Sequence, residues 1–218
     1  NAVWSHHPDL TNKVVLQRNV VSNTPDSNPP NTGDPGDWSH GTHCAGLAAG
    51  ETNNHLGIAA IGYKTSIIGV RASSQAVTIT HSQQGVNWAI NNGADVISMS
   101  FGGSGFSHTY QNIINTGAAM GISFLASAGN ESDNGIRYPA GYAHVIAVAS
   151  TNDNDVKTDF SNWGTYVSVC APGGYASPGP MGLLSTVYEN TSMGYYDSYF
   201  GTSMSTPVAA GLAGLMKS

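Results

Sequence analysis

Charge is scarce in this sequence. Of 218 residues, only seven are Lys or Arg and thirteen are Asp or Glu, a formal balance of −6. A chain so poor in cations does not suit a phosphate backbone, so nucleic acid is excluded as a partner class. Long apolar runs are missing as well. Nothing approaches the ~18 consecutive apolar residues of a membrane span, and the first residues carry no leader pattern, as expected of a mature or trimmed chain. There are only two cysteines, Cys44 and Cys170, too few for a disulfide framework. Both lie in apolar segments and are expected to be buried thiols, bridged only if the fold brings them together. Internal repeats are absent.

What is present is glycine, 27 residues of it, in a chain of ordinary single-domain length. Apolar β-rich runs alternate with helical patterns, which points to βαβ units and a parallel sheet. The expected strands are Val14–Val21, Ser66–Arg71, Val96–Met99, Ser123–Ala126, Val145–Ala149 and Tyr166–Ala171. The expected helices are His40–Gly50, Thr78–Asn92, His108–Met120 and Ser203–Lys217. Thr24 to Asp37, rich in Pro, Asn, Asp and Gly, reads as a surface loop.

Three segments carry chemistry. In Gly201-Thr202-Ser203-Met204-Ser205-Thr206-Pro207, a serine among small residues opens an Ala/Gly-rich helix. It is either an ordinary helix cap or a nucleophile whose oxyanion would meet the helix N-terminus. Pro207 is expected in the first turn, where its missing N–H matters least. In His40-Gly41-Thr42-His43-Cys44-Ala45-Gly46, the small residues make a thin surface. That surface would let a helix approach another element, as a base reaching a serine requires. In Leu125-Ala126-Ser127-Ala128-Gly129-Asn130, a short strand ends in a Gly-Asn corner. That asparagine is either a turn residue or an amide donor to developing negative charge.

Taken together, the three segments resemble the subtilisin-like serine proteases (subtilases). That family's patterns are His-Gly-Thr-His-x-Ala-Gly, Ala-Gly-Asn and Gly-Thr-Ser-Met-[Ala/Ser]-x-Pro, and they stand here in the family's order. The resemblance implies His40 as general base and acid, Ser203 as nucleophile and Asn130 as oxyanion donor, with His43 structural. It implies a three-layer α/β/α fold around a mostly parallel sheet, and a single peptidase domain spanning residues 1–218. It also implies polypeptide substrates and secretion. Ser100, Phe101 and Gly102 match an edge that pairs with an extended substrate, and with Ser127, Ala128 and Gly129 they would wall the first specificity pocket. Arg137 takes the position at that pocket's base where a familiar relative has glycine. It would narrow the pocket or pair with a substrate carboxylate, unless Glu131 neutralises it or it turns to solvent. Met204 is an expected oxidation site.

His7-Pro8-Asp9-Leu10 resembles a family segment whose aspartate binds structural Ca²⁺. The matching ligands are the side chains of Asp9 and Asn54 and the carbonyls of Thr52, Leu56 and Ile58, an oxygen-only set; an ordinary Asn-rich turn is the alternative. The family's catalytic aspartate lies seven residues before the histidine of that segment, which falls one position before Asn1. Only fifteen residues follow Ser203. The expectation is therefore a domain lacking its first strand and its C-terminal elements, completed by an N-terminal segment or chain that carries the aspartate. Asn1 in the aspartate's place is a lesser alternative. A non-catalytic homologue serving as a binding module is the rival reading, while a carboxyl-serine peptidase does not fit His40.

Overall fold

The computed structural model describes residues 1–76, 78–175 and 181–218. In chain order its elements are β1 (Val14–Asn19), α1 (Pro35–Ala49), β2 (Ile67–Arg71), α2 (Ser82–Asn91), β3 (Val96–Met99) and α3 (His108–Ala119). They continue with β4 (Ser123–Ser127), β5 (Val145–Thr151), β6 (Val169–Pro172), β7 (Leu183–Thr191), β8 (Gly194–Tyr199) and α4 (Thr202–Lys217).

Strands β3, β4, β5 and β6 form a parallel sheet in that order, with Met99 opposite Ala126 and Ser127 opposite Val148. Alternation along β4 separates the two faces. Phe124 and Ala126 pack with Ile90 of α2 and Ile114 of α3, whereas Leu125 packs with Val148, Ala171 and Ala210 of α4. Helices therefore cover both faces, as βαβ connections require. Phe124 and Ile114 are wholly buried, each contributing about 2 kcal/mol of apolar burial.

Strands β1 and β2 make a separate parallel pair. Among the described residues, β2 pairs only with β1 and β3 only with β4. Both border a cavity of about 560 Å³, lined by Ile67 and Val70 of β2, Val96 and Ile97 of β3, and Ala45 and Ala89 of the helices. The three layers and the parallel sheet follow the sequence reading, and the sheet is interrupted at this slot.

Several boundaries differ from expectation. Helix α1 starts at Pro35, not His40, because Asp34 Oδ1 caps the Gly36 N–H at 2.9 Å and Pro35 suits the first turn. That cap lies inside the segment read as a loop. Helix α2 starts at Ser82 and β6 at Val169, both later than expected. The antiparallel hairpin β7–β8 was not foreseen. Its inward residues Ser185 and Thr186 are polar and donate to the α1 carbonyls of His43 and Thr42, both at 2.8 Å. They interrupt the apolar alternation that marks a strand. Gly46 allows this contact, since a Cβ there would strike both hydroxyls.

Candidate active site

His40 lies in the second turn of α1, and Ser203 is the second residue of α4. Where α1 and α4 pack, Cys44 Sγ of α1 lies 4.0 Å from His40 Nδ1 on its own helix and donates to Ser203 O of α4 at 3.5 Å. That carbonyl is available because Pro207, four residues on, has no N–H to bond it. Ser100 Oγ also donates to it, at 2.7 Å. Pro207 is thus inside the helix and not in its first turn, and the freed carbonyl ties α4 to α1 and to the Ser100 segment. The Ser203 hydroxyl donates to Ser100 O at 3.4 Å and does not bond His40.

The oxyanion side is built around Gly201, which caps α4 at φ +141°, a conformation open to glycine. Asn130 Oδ1 accepts from both the N–H and the hydroxyl of Thr202, at 2.9 Å each. That fixes the amide so that Nδ2 is left over. Among the described residues, neither Asn130 Nδ2 nor the Ser203 N–H has a hydrogen-bond partner. Both lie beside the point where a Gly201 Cβ would sit, at 3.5 and 3.8 Å. Two unpaired donors converge on an open spot beside a serine at a helix N-terminus, which is the arrangement an oxyanion requires.

His40 is held well below the ordinary histidine value, at about 4, chiefly by burial. No carboxylate bonds its ring among the described residues. Asn1 stands beside it, lining the same cavity, and the Ala2 backbone fits against Gly41, where a Cβ would collide with Ala2 O. The Asn1 side chain is turned elsewhere, donating to Ala76 O at 2.7 Å. Burial pushes the Cys44 thiol up to about 11, so it is protonated and not a nucleophile. Cys170 is exposed and both cysteines are free, which corrects the expectation of two buried thiols. Met204 is 1% exposed, so it is shielded where oxidation was expected.

A groove of about 650 Å³ runs from His40 along Ser100, Phe101 and Gly102 to Tyr138 and Tyr142. Arg137 sits between the two expected walls: its side chain lies 3.7 Å from a Cβ placed on Gly102 and 3.1 Å from one on Gly129. Ser127 and Ala128 are buried in the wall at the end of β4. The guanidinium is committed within the chain, to Glu131 at 3.1 Å and Asp133 at 2.9 Å. Arg137 is therefore paired with carboxylates of its own chain, as the Glu131 alternative anticipated.

Asp9 is wholly buried and far from triad duty. Its carboxylate accepts from Asn54 Nδ2 (2.7 Å), the Ile58 N–H (3.1 Å) and the Tyr196 hydroxyl (3.0 Å). Among the described residues no cation pairs with it, and it drives the Tyr196 phenol up to about 12, behind burial as the first cause. Thr52, Leu56 and Ile58 share the same loop, where the Leu56 N–H turns onto Asn54 Oδ1 at 3.0 Å. Sequence reasoning missed Asn162, a buried side chain bonded to the loop that carries Asn130. An asparagine in a Ser-Asn-Trp-Gly corner carries no signal that separates it from a turn residue.

The subtilase family model matches residues 1–218. Thermitase from Thermoactinomyces vulgaris is 42% identical over 99% of this chain, which spans 72% of that protein. A thermophilic serine proteinase from Bacillus sp. (strain AK1) is 37% identical over 97% of this chain, which spans 49% of it. Among solved structures, a protease from Pseudoalteromonas arctica superposes with TM-score 0.86 at 32% identity, over 99% of this chain and 75% of that one. A cold-adapted subtilisin-like serine proteinase gives TM-score 0.80 at 30% identity, over 99% of this chain and 71% of the other. Among the described residues no helix is long and apolar enough to cross a membrane. The chain belongs to the subtilase family, the subtilisin-like serine endopeptidases.

Proposed function

We propose that Ser203 is the nucleophile, His40 the general base and acid, and Asn130 with the Ser203 N–H the oxyanion hole. The observation that carries this is the pair of unpaired donors, Asn130 Nδ2 and the Ser203 N–H, flanking Gly201. His40 takes the proton as Ser203 Oγ attacks the peptide carbonyl, and the two donors receive the oxyanion. His40 then protonates the leaving amine, and water resolves the acyl-enzyme by the same route. Before attack the Ser203 hydroxyl must swing from Ser100 O to the imidazole. Labelling with a fluorophosphonate tests the assignment. Modification at Ser203 that His40→Ala abolishes is expected, and an inert Ser203 would favour a binding module.

The third triad member is proposed to be a carboxylate delivered next to Asn1, by a preceding segment or a separate chain. The site beside Asn1 supports this: a histidine depressed to about 4 has no anion to stabilise its imidazolium. The apolar slot between β2 and β3 supports a strand that pairs with both edges and leads into Asn1. If residues 1–218 alone cleaved peptides as fast as a form carrying the carboxylate, the proposal would fail.

Polypeptide is the substrate class, laid along the groove past Ser100 to Gly102. Arg137, fixed by two carboxylates, narrows the first pocket without lending it a positive charge. Structural Ca²⁺ is proposed at Asp9. A buried carboxylate met only by neutral donors fits a cation, with Asn54 and the carbonyls of Thr52, Leu56 and Ile58 as its partners once the Asn54 amide presents oxygen. The ion would hold the loop after α1 against β8 and raise stability with the logarithm of its free concentration above the dissociation constant. A melting temperature that a chelator leaves unchanged would rule it out. Secretion is proposed on family grounds.

A further inference from the structure

We infer that Asn162 is a positioning residue for the oxyanion hole, an inference that rests on the assignment of Asn130 above. All four hydrogen-bonding positions of its side-chain amide are used. Oδ1 accepts from the Glu131 N–H at 2.9 Å and the Asp133 N–H at 3.2 Å. Nδ2 donates to Ala128 O at 3.2 Å and to Glu131 Oε2 at 2.7 Å. The Asn162 backbone N–H adds a bond to Gly129 O at 3.0 Å. One buried residue thus holds the chain on both sides of Asn130, while the Asn130 side chain is held from elsewhere, by Thr202.

Glu131 extends the clamp onto Asn130 itself. Its Oε2 accepts from the Asn130 N–H at 3.1 Å as well as from Asn162 and from Arg137 Nε. The corner also explains Gly129, at φ +113°, where a Cβ would collide with Asn162 Nδ2. The close approach of Asn162 is therefore possible only because residue 129 has no side chain. Removing the amide leaves the Glu131 and Asp133 N–H groups without their acceptor, takes one donor each from Ala128 O and Glu131 Oε2, and lets the Asn130 backbone shift. A misplacement on the order of 1 Å far from the bond-making atoms can cost about 10²-fold in rate.

The test is a double-mutant cycle on the active protease, with kcat and KM measured on a peptide substrate. Asn162→Ala is expected to lower kcat by about 10- to 100-fold and to move KM by less than about threefold. In an Asn130→Ala background the same substitution should cost little further, because it acts through Asn130. An unchanged kcat overturns the inference. So does an equal further loss in the Asn130→Ala background, which marks general scaffolding. If Asn162→Ala does not fold, the half-exposed Glu131 gives a second reading. Glu131→Ala should lower kcat several-fold and lose that effect when Asn130 is already alanine; full kcat again overturns the inference. A wild-type protein without Ser203-dependent hydrolysis would instead fail the underlying assignment.

Discussion

Around Asn130, the groups that hold the oxyanion donor in place are paired, whereas around His40 the ring meets a thiol and a cavity. Thr202, Glu131 and Asn162 leave one amide hydrogen pair of Asn130 free, aimed beside Ser203. Among the described residues, His40 has only Cys44 Sγ, at 4.0 Å, near Nδ1. One half of the site is held by hydrogen bonds among the described residues themselves. The other half opens on the cavity between β2 and β3, where the carboxylate is proposed. The contrast shows how a site divides: hydrogen bonds can fix a donor in advance, while the basicity of a histidine depends on the charge placed beside it.

The largest effect should come from completing the base side. A protein carrying the carboxylate should exceed the 1–218 chain in turnover by on the order of 10⁴. The same change should raise the His40 pKa from about 4, because an anion favours the imidazolium. Since the base must be neutral, the acid limb of the pH–activity profile moves up with that pKa. Histidine ring NMR on the 1–218 chain decides the matter. Titration near the ordinary histidine value without the carboxylate would remove the contrast.

Breaking the oxyanion side should cost less. Asn130→Ala is expected to lower kcat by about 10²–10³-fold while fluorophosphonate still labels Ser203 at a reduced rate. A loss as large as that of the carboxylate would mean that the two halves are not separable.

His43, three residues after His40 on α1, sharpens the same comparison. Burial depresses it to about 4 as well, but in a closed environment. Its ring stacks on Tyr199 at 4.4 Å and meets the carbonyls of Leu183 and Asp197 at 3.0 and 3.2 Å. Its folded pKa is below its unfolded value, so the unfolded state binds more protons between pH 6.5 and about 4. Stability is therefore full above that window and falls as pH drops through it, by roughly 3 kcal/mol. Urea unfolding between pH 7 and 4 should show this slope added to that of His40, which burial depresses to the same extent, and His43→Gln should remove the His43 share and leave that of His40. A slope that His43→Gln leaves unchanged would place the proton uptake elsewhere.

Much of this contrast was legible in the sequence. His40, Asn130 and Ser203 stand in long motifs whose small neighbours announce close approach, and the parallel core strands announce themselves as apolar runs. What stayed hidden was set by contacts distant in sequence. The hairpin β7–β8 faces α1 with Ser185 and Thr186, and their hydroxyls look like loop residues until the α1 carbonyls are opposite them. The start of α1 was masked by a cap, Asp34-Pro35, inside a loop-like composition. Asn162 gains meaning only when the strand end carrying Asn130 folds over it, 32 positions away. Pro207 reads as a first-turn residue by type, and its use in freeing Ser203 O for Ser100 and Cys44 appears only in three dimensions.

The smallest effect separates the two supports of Asn130. Thr202→Val keeps the backbone N–H bond to Asn130 Oδ1 but removes the hydroxyl bond at 2.9 Å. It also strips the Gly129 N–H of its acceptor, at 3.3 Å. One lost hydrogen bond on a fixed amide should cost about 1 kcal/mol, seen as a roughly five- to tenfold fall in kcat with KM nearly constant. Cooperation within the clamp would make the loss larger in Asn162→Ala than in wild type, because the amide then keeps one of its two Thr202 bonds on a loop that is itself loosened. Equal losses in both backgrounds would mean that Thr202 orients the amide independently of the loop beneath it. The oxyanion half would then rest on two separate supports, each subtracting its own increment of preorganisation when lost, whatever the state of the other.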